Sequence, residues 1–495
     1  MGKMAFQGRN AELRLLDRLW ASPNATLLIL YGRRRVGKTR LLTHWMSRHS
    51  ERALYWVAEP TSALDQLRSF SQAIYNFNHP DAPAPLDFTY ANWDQALQQV
   101  ATLAKTERLA LLIDEFTYLL EVDPTIVGTL QKAWDHSLSN SKLILALSGS
   151  QMGLMQKQVL AYQAPLYGRA TAQLKLPPLP FDITTDFFPH YSAAERVAVY
   201  SIFGGIPAYW ERIDGRVPIM ENIRTQLLTP NTLMQEEPRL LLQDFITDQH
   251  NYVGIMRAIT HGSRTQRAIS SRTGLSKGHI SKYLSVLRDT GFVERQVPVT
   301  ESERSRRGRY FVTDPYMRFY YRFMATNTAQ LALGVQQQTL RKIEEQLPSF
   351  IEENTWRELC RQWVLRASAY NELPLEIEKV GGEWKHSQCI DVAGVGHGSR
   401  SLVLGTALWG DNVADSGVIR DLIKRTPDIV PDNEQWSVYY LGFSAAGWNE
   451  DARAMSERMI ASEAAAENWQ PVGIKLLDLE EVDADLSRWS NGYEL

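Results

Sequence analysis

Two cysteines, Cys360 and Cys389, are all that 495 residues contain. So few exclude a disulfide framework, and the expected compartment is the cytoplasm. No apolar run approaches the ~20 residues that span a bilayer. The opening MGKMAFQGRN has no apolar segment of a secretion signal, and Phe6 stands where a myristoylation signal wants Ser or Thr. No membrane role is expected. Net charge is scarce too: 53 basic side chains against 56 acidic ones leave −3. That balance argues against a protein that coats nucleic acid, while leaving room for one local basic face. Internal repeats and low-complexity tracts are also missing.

What remains is an ordinary globular mix, 44% hydrophobic and 22% charged, in a chain too long for one core, so three or four domains are expected. Leu13, Leu15, Leu16 and Leu19 fit one helical face near the start. ATLLILYG reads as a buried strand and KTRLLTHWMSRH as the helix after it. ALYWVAEP is a second strand, helices follow around 62–76 and 91–105, and RLALLIDEF and KLILALSGS give a third and a fourth strand. Strands alternating with helices imply an α/β fold with a parallel sheet covered on both faces. Residues from Phe181 to about Gln243 read as helical, broken by FGGIPAYW. Short helices and a basic hairpin occupy 246–325. AQLALGVQQQTLRKIEEQL then reads as one linking helix to a final mixed region. The expected domains are a core at 1–180, a helical lid at 181–245, a helix-turn-helix with a wing at 246–325, and a C-terminal domain at 326–495.

The chemistry is densest at GRRRVGKT. Gly32, four residues, Gly37, Lys38 and Thr39 match the spacing of a phosphate loop. Its glycines let backbone N–H groups turn onto phosphates at a helix N-terminus, where the dipole favours anions. Lys38 would reach the β- and γ-phosphates of ATP, Thr39 would ligate Mg²⁺, and Arg40 follows as part of the same cradle. LALLIDEF puts Asp114 at a strand's end, placed to hold Mg²⁺ through water, with Glu115 beside it to orient or deprotonate an attacking water. Adjacent acids favour hydrolysis over phosphoryl transfer to a small-molecule acceptor. Ser148, with Ser150 and Gln151 nearby, would sense the γ-phosphate or simply form a turn. Arg169 in PLYGRAT is a candidate charge donor to the transition state, from its own chain or a neighbour's, or else a solvated loop arginine. The run Arg33–Arg35 is assigned no chemistry.

Together FQGRNAEL, GRRRVGKT, LLIDEF, LSGS with PLYGRAT, and FGGIPAYW make the chain resemble the archaeal-type P-loop ATPases allied to the STAND and AAA+ groups. That resemblance spans essentially the whole chain. It implies that Gly8 and Arg9 lie near the adenine, and that Gly205 and Pro207 contact the base or ribose from the lid. Asn10 departs from the charged residue usual in the family. The resemblance also implies a C-terminal domain like the PD-(D/E)xK nucleases. Asp391 would be its strand acid, with Glu353 or Glu358 on a helix. However, GTALW stands where the family shows Gly-Glu-Cys-Lys-Trp, so Thr406 replaces the acid and Leu408 the lysine. Glu383 and Lys385 in GEWK precede Asp391, on another element. The expected domain is a nuclease fold without the nuclease.

In the 246–325 region, TQRAISSRTG reads as a helix ended by Gly274, and Ser276 as the N-cap of the next. Ile280, Tyr283, Leu284 and Leu287 should face the core. Lys277, His279 and Lys282 would then point outward near the helix start, the end that enters a major groove. A wing loop holding Arg304, Arg306, Arg307 and Arg309 could lie on phosphates, or the module could serve only as a relay. The leading expectation is an ATP-hydrolysing switch protein. Its rivals are a DNA-binding regulator whose conformation ATP sets, and an ATP-controlled nuclease. Duplex DNA, a protein bound through the C-terminal domain, and a second copy of the chain are the candidate partners.

Overall fold

Strands β1 (Thr26–Tyr31), β2 (Ala53–Val57), β3 (Leu109–Asp114), β4 (Leu143–Gly149) and β5 (Ala172–Lys175) form a wholly parallel sheet. Its order is β2-β3-β4-β1-β5. The computed structural model describes residues 6–243, 250–385, 388–431, 435–458 and 468–491. Period-two alternation divides the strand side chains between two cores. Leu27, Ile29, Leu111, Ile113, Leu145 and Leu147 enter one, and Leu28, Leu30, Ala110, Leu112, Ile144 and Ala146 the other. Both faces being covered, β1, β3 and β4 read as unbroken apolar runs. Edge strand β5, AQLK, has no such run and only half-buries alternate residues, which is why its sequence carries no strand signal. Helix Asn10–Ala21 buries Leu13, Leu16 and Leu19, as its spacing predicts.

The chain divides into two compact units, one of residues 1–179 with 205–211, the other of 180–204 with 212–495. FGGIPAYW, read from sequence as part of the lid, therefore groups mostly with the parallel sheet.

In the second unit, helices Ala193–Phe203 and Leu233–Gln243 precede a module of three helices, His250–Thr260, Gln266–Thr273 and Lys277–Asp289. The lid boundary expected at 245 lies outside the described residues. Gly274 caps the middle helix at φ 72°, and the Ser276 hydroxyl accepts from His279 N at the start of the next. An antiparallel hairpin of β6 (Val293–Gln296) and β7 (Arg309–Val312) follows. The linking segment is not the single helix its composition predicts. Gly334 takes φ 76° and separates a short helix, Thr328–Ala332, from Gln337–Ile351, since a left-handed residue ends helical propagation.

A separate mixed sheet ends the chain: β8 (Lys379–Lys385), β9 (Gln388–Gly396), β10 (Ser401–Leu408), β11 (Trp436–Ser444) and β12 (Trp469–Asp478), in order β12-β11-β10-β9-β8. The first three are antiparallel neighbours, and β10, β11 and β12 run parallel. Helices Ser416–Arg425 and Glu450–Arg458 lie in the two crossovers, which parallel neighbours require.

Candidate active site

Strand β1, buried up to Leu30, delivers the chain into the turn 32–37, and the helix Lys38–Met46 starts directly behind it. Two glycines make the turn possible. Gly37 sits at φ 98°, and a Cβ on Gly32 would stand 2.6 Å from the carbonyl oxygen of Leu176. The loop is held from outside by Arg9, itself left-handed at φ 65°. Arg9 is buried and donates to the carbonyls of Val36 (3.1 Å) and Pro177 (2.7 Å) while pairing with Glu12. In this chain Arg9 braces the phosphate loop, and Gly8, at φ 69°, gives the turn that delivers it.

Lys38 is buried, and its ammonium donates to the carbonyls of Gly32 (2.9 Å) and Arg33 (3.1 Å). Burial pulls its pKa below the usual lysine range, while the Glu115 and Asp114 carboxylates pull it back up. The Thr39 hydroxyl donates to Asp114 Oδ2 at 2.6 Å. Asp114 also accepts from the Tyr55 hydroxyl at 3.0 Å and the Glu115 backbone N–H at 2.9 Å. Tyr55 was not singled out from the sequence. Burial first, then the Asp114 charge, raises its pKa, so it stays a neutral donor. Its place follows from β2 pairing beside β3, with period-two spacing turning Tyr55 to one face of β2.

Glu115 adopts φ 49°, left-handed for a side-chain-bearing residue, a conformation that costs of order 1–3 kcal/mol and clusters at functional sites. It turns the chain sharply from β3 into the helix Phe116–Val122. The Ser150 hydroxyl donates to its Oε2 at 2.9 Å. Ser148 lies opposite Leu30 of β1, fully buried, its hydroxyl without a hydrogen-bond partner among the described residues. Of the two serines it is thus Ser150, not Ser148, that the structure joins to the acid pair.

Residues 205–211 close on the same loop. Leu179 N donates to Gly205 O at 2.7 Å, and a Cβ on Gly205 would fall on the Leu179 carbonyl. Pro207 Cγ lies 3.9 Å from a Cβ built on Gly37. Arg33 donates to the Tyr209 hydroxyl at 2.8 Å, and Arg40 pairs with Glu211. Arg40 therefore ties the loop's helix to this segment.

Arg169 is not brought to the loop. Its guanidinium is held fork-to-fork by Asp135 (2.8 Å for each nitrogen) and by the Pro165 carbonyl.

The residues expected to meet DNA separate into two groups. Lys277, His279 and Lys282 are exposed on the helix Lys277–Asp289, opposite the buried Ile280, Leu284 and Leu287, and Arg304 and Arg306 are exposed on the hairpin loop. Arg307 and Arg309 are not free for phosphates. Arg307 pairs with Glu301 and donates to Trp384 O at 2.8 Å, while the Trp384 indole donates back to Arg307 O. Arg309 lies 4.7 Å over the Trp384 ring. Val299 joins the core of the C-terminal sheet, and the buried Glu383 accepts from Thr300 N and Oγ1. The wing is docked, and the apolar QVPV entering it was the overlooked sign.

In the C-terminal sheet Asp391 is paired with Arg357 at 2.9 Å, Glu358 with Arg318 at 2.8 Å, and Glu353 with Arg264 at 3.6 Å. Lys385 reaches the Asp428 carbonyl. Thr406 and Leu408 supply no charge. Among the described residues no three or more acids, histidines or cysteines gather into a group that could hold a metal ion. The purified chain with Mg²⁺ or Mn²⁺ is expected to leave single- and double-stranded DNA and RNA intact. Cleavage lost in Asp391→Ala would overturn that.

Residues 6–213 match a family described as an ATPase domain predominantly from Archaea, and 320–418 one described as "Archaea bacterial proteins of unknown function". The uncharacterized protein MJECL04 of Methanocaldococcus jannaschii is 26% identical over 82% of this chain and 88% of its own. The same organism's uncharacterized ATP-binding protein MJ0423 is 49% identical over 9% of this chain and 76% of its own. Among solved structures, the Walker-type ATPase PABY2304 of Pyrococcus abyssi aligns over 64% of this chain and 96% of its own, with 18% identity and a TM-score of 0.49. No described helix is long and apolar enough to cross a membrane.

Proposed function

We propose, of a chain that belongs to the archaeal-type P-loop ATPase family, that it binds and hydrolyses ATP with Mg²⁺ and acts as a nucleotide-set switch. The observation that carries this is the meeting of Lys38, Thr39, Asp114 and Glu115 behind one glycine-built turn. These residues fit the nucleotide and its metal: a buried ammonium resting on loop carbonyls, a hydroxyl on a buried carboxylate, and two glycines, one where a Cβ would clash and one at positive φ. Thr39 and Asp114 would hold Mg²⁺, which when bound offsets phosphate charge. Lys38 binds the phosphates, Glu115 takes the proton of water at its carboxylate, and Ser150 orients that carboxylate. Pro207, Tyr209 and Glu211, against the loop and its helix, are the first residues to feel a change there. Phosphate release measured across Mg²⁺ concentrations tests the assignment. Thr39→Val should raise the Mg²⁺ requirement about tenfold, the scale of one lost charge-assisted contact, and Thr39→Ser should restore it. No release from the wild type at any Mg²⁺ concentration would refute hydrolysis.

The exposed Lys277, His279, Lys282, Arg304 and Arg306 favour a further reading, in which the three-helix module and hairpin act as a winged helix on duplex DNA. So few cations neutralise few phosphates. Binding should be weak, with a log–log salt slope no steeper than about −4. In mobility shifts, changing Lys277, Lys282, Arg304 and Arg306 to alanine should remove it. Retention unaltered would place the DNA elsewhere, and no shift at low salt would leave the module a relay. Association through the C-terminal domain, with another protein or a second copy, belongs to the same proposal.

A further inference from the structure

Between the hairpin and strand β8 the second unit holds a cavity of about 690 Å³, within the range of sites that take a drug- or nucleotide-sized molecule. Its wall carries Arg288, Arg295, Arg318, Arg361 and Lys379, against only Glu294, Glu303 and Glu358. Two of the cations serve the protein itself. Arg318 pairs with Glu358 and donates to the carbonyls of Val312, Thr313 and Asn354. Arg295 holds the hairpin loop through the carbonyls of Glu303 and Ser305. The other three have donors to spare. Arg288 and Lys379 are exposed and make no side-chain hydrogen bond or ion pair among the described residues. Arg361 spends only Nε, on the Asp391 carbonyl at 2.8 Å.

The backbone is shaped around Arg361. Register slips between Gly381 and Glu383 where β8 bulges against β9, and a Cβ on Gly382 would stand 2.8 Å from Arg361 Nη2. A side chain there would crowd the guanidinium and push its tip aside. Burial lowers the Arg361 pKa, with Glu358 and Asp391 opposing it. Arg361 is half-buried and its terminal nitrogens are open to the cavity, so an anion entering there would meet a charged fork with donors to spare. A guanidinium fork flanked by two further cations in a concave hollow suits oxygens grouped on one small molecule better than a strand of spaced phosphates.

We propose that this cavity is a second anion site, separate from the phosphate loop, for a small phosphorylated ligand carrying two or more negative charges. Arg361 grips the anion, Arg288 and Lys379 guard the mouth, and Gly382 makes the space. Because the hairpin and β8 both form the wall, occupancy stiffens the wing against the C-terminal sheet.

The test is isothermal titration of the full chain carrying Lys38→Ala, so that the phosphate loop is weakened, with pyrophosphate as the probe at low salt. One equivalent should bind, and affinity should fall at least tenfold in Arg361→Gln. The same loss is expected in the double change Arg288→Glu, Lys379→Glu, whose exposed positions leave the melting temperature unaltered. Citrate binding as tightly as pyrophosphate would overturn the phosphate selectivity. No uptake of pyrophosphate, uptake equal in all variants, or uptake of a short duplex DNA without pyrophosphate would overturn the site.

Discussion

Lys38→Ala is expected to abolish tight nucleotide binding, while Glu115→Gln binds as well as the wild type and turns over far more slowly. The two residues share a site and act at different moments. Lys38 meets phosphate in the ground state, and the carbonyls of Gly32 and Arg33 that now receive its ammonium mark where that charge is kept. Losing a charged donor to two phosphate oxygens removes about 3–5 kcal/mol, roughly a 10²–10⁴-fold weaker Kd. Glu115 acts on water only as the bond breaks, so its loss lowers kcat and leaves Kd alone. A general base contributes roughly 10²–10⁴-fold, and glutamine keeps the shape and the hydrogen bond from Ser150. Fluorescent-nucleotide titration and single-turnover phosphate release separate the two effects. Equal rates in wild type and Glu115→Gln would remove that residue from the chemistry.

Gly205→Ala should be the most damaging single-methyl change in the first unit. Its Cβ would fall on the Leu179 carbonyl, where the backbones of the two residues already touch through Leu179 N and Gly205 O. Backbone cannot swing aside as a side-chain tip can, so the two segments must part. Overpacking of this kind costs about 1–3 kcal/mol, a drop in Tm of about 3–10 °C for a unit this size. It would also draw Pro207 away from Gly37 and weaken nucleotide binding. Gly128→Ala is the contrast. That glycine lies in the helix Ile126–His136 with nothing near its missing Cβ, so alanine should stabilise by about 0.5–1 kcal/mol. Thermal melts of both variants decide it, and a Gly205→Ala melt equal to wild type would show that the contact yields.

Local pattern made the parallel sheet legible, because strands buried on both faces announce themselves as apolar runs and phosphate loops as fixed spacings. Lys38, Thr39, Asp114 and Glu115 were readable for that reason, each carrying its signal within a few neighbours. Contacts made across the fold were not. Nothing local distinguishes Ser150 from Ser148, and the choice depends on which hydroxyl the end of β4 turns toward Glu115. Tyr55 reaches Asp114 only because β2 pairs with β3. Arg169 looked free because its partner, Asp135, is 34 residues away. The wing misled most, since four arginines in one loop read as a single charge. Two of them are turned by Trp384, a residue far downstream whose place no periodicity gives.

The docking of that wing also bears on how the chain can be dissected. Val299 is a plug whose socket belongs to the last sheet, and Trp384 is a latch whose keepers lie upstream. A scissor cut anywhere between them leaves one fragment with an oily stub and the other with an oily hole. Fragments ending near 325, the obvious place to excise a DNA-reading piece, would therefore stick to each other and to bystanders through that wound. What looks in linear order like two beads on a string is, for the purpose of cutting, one bead.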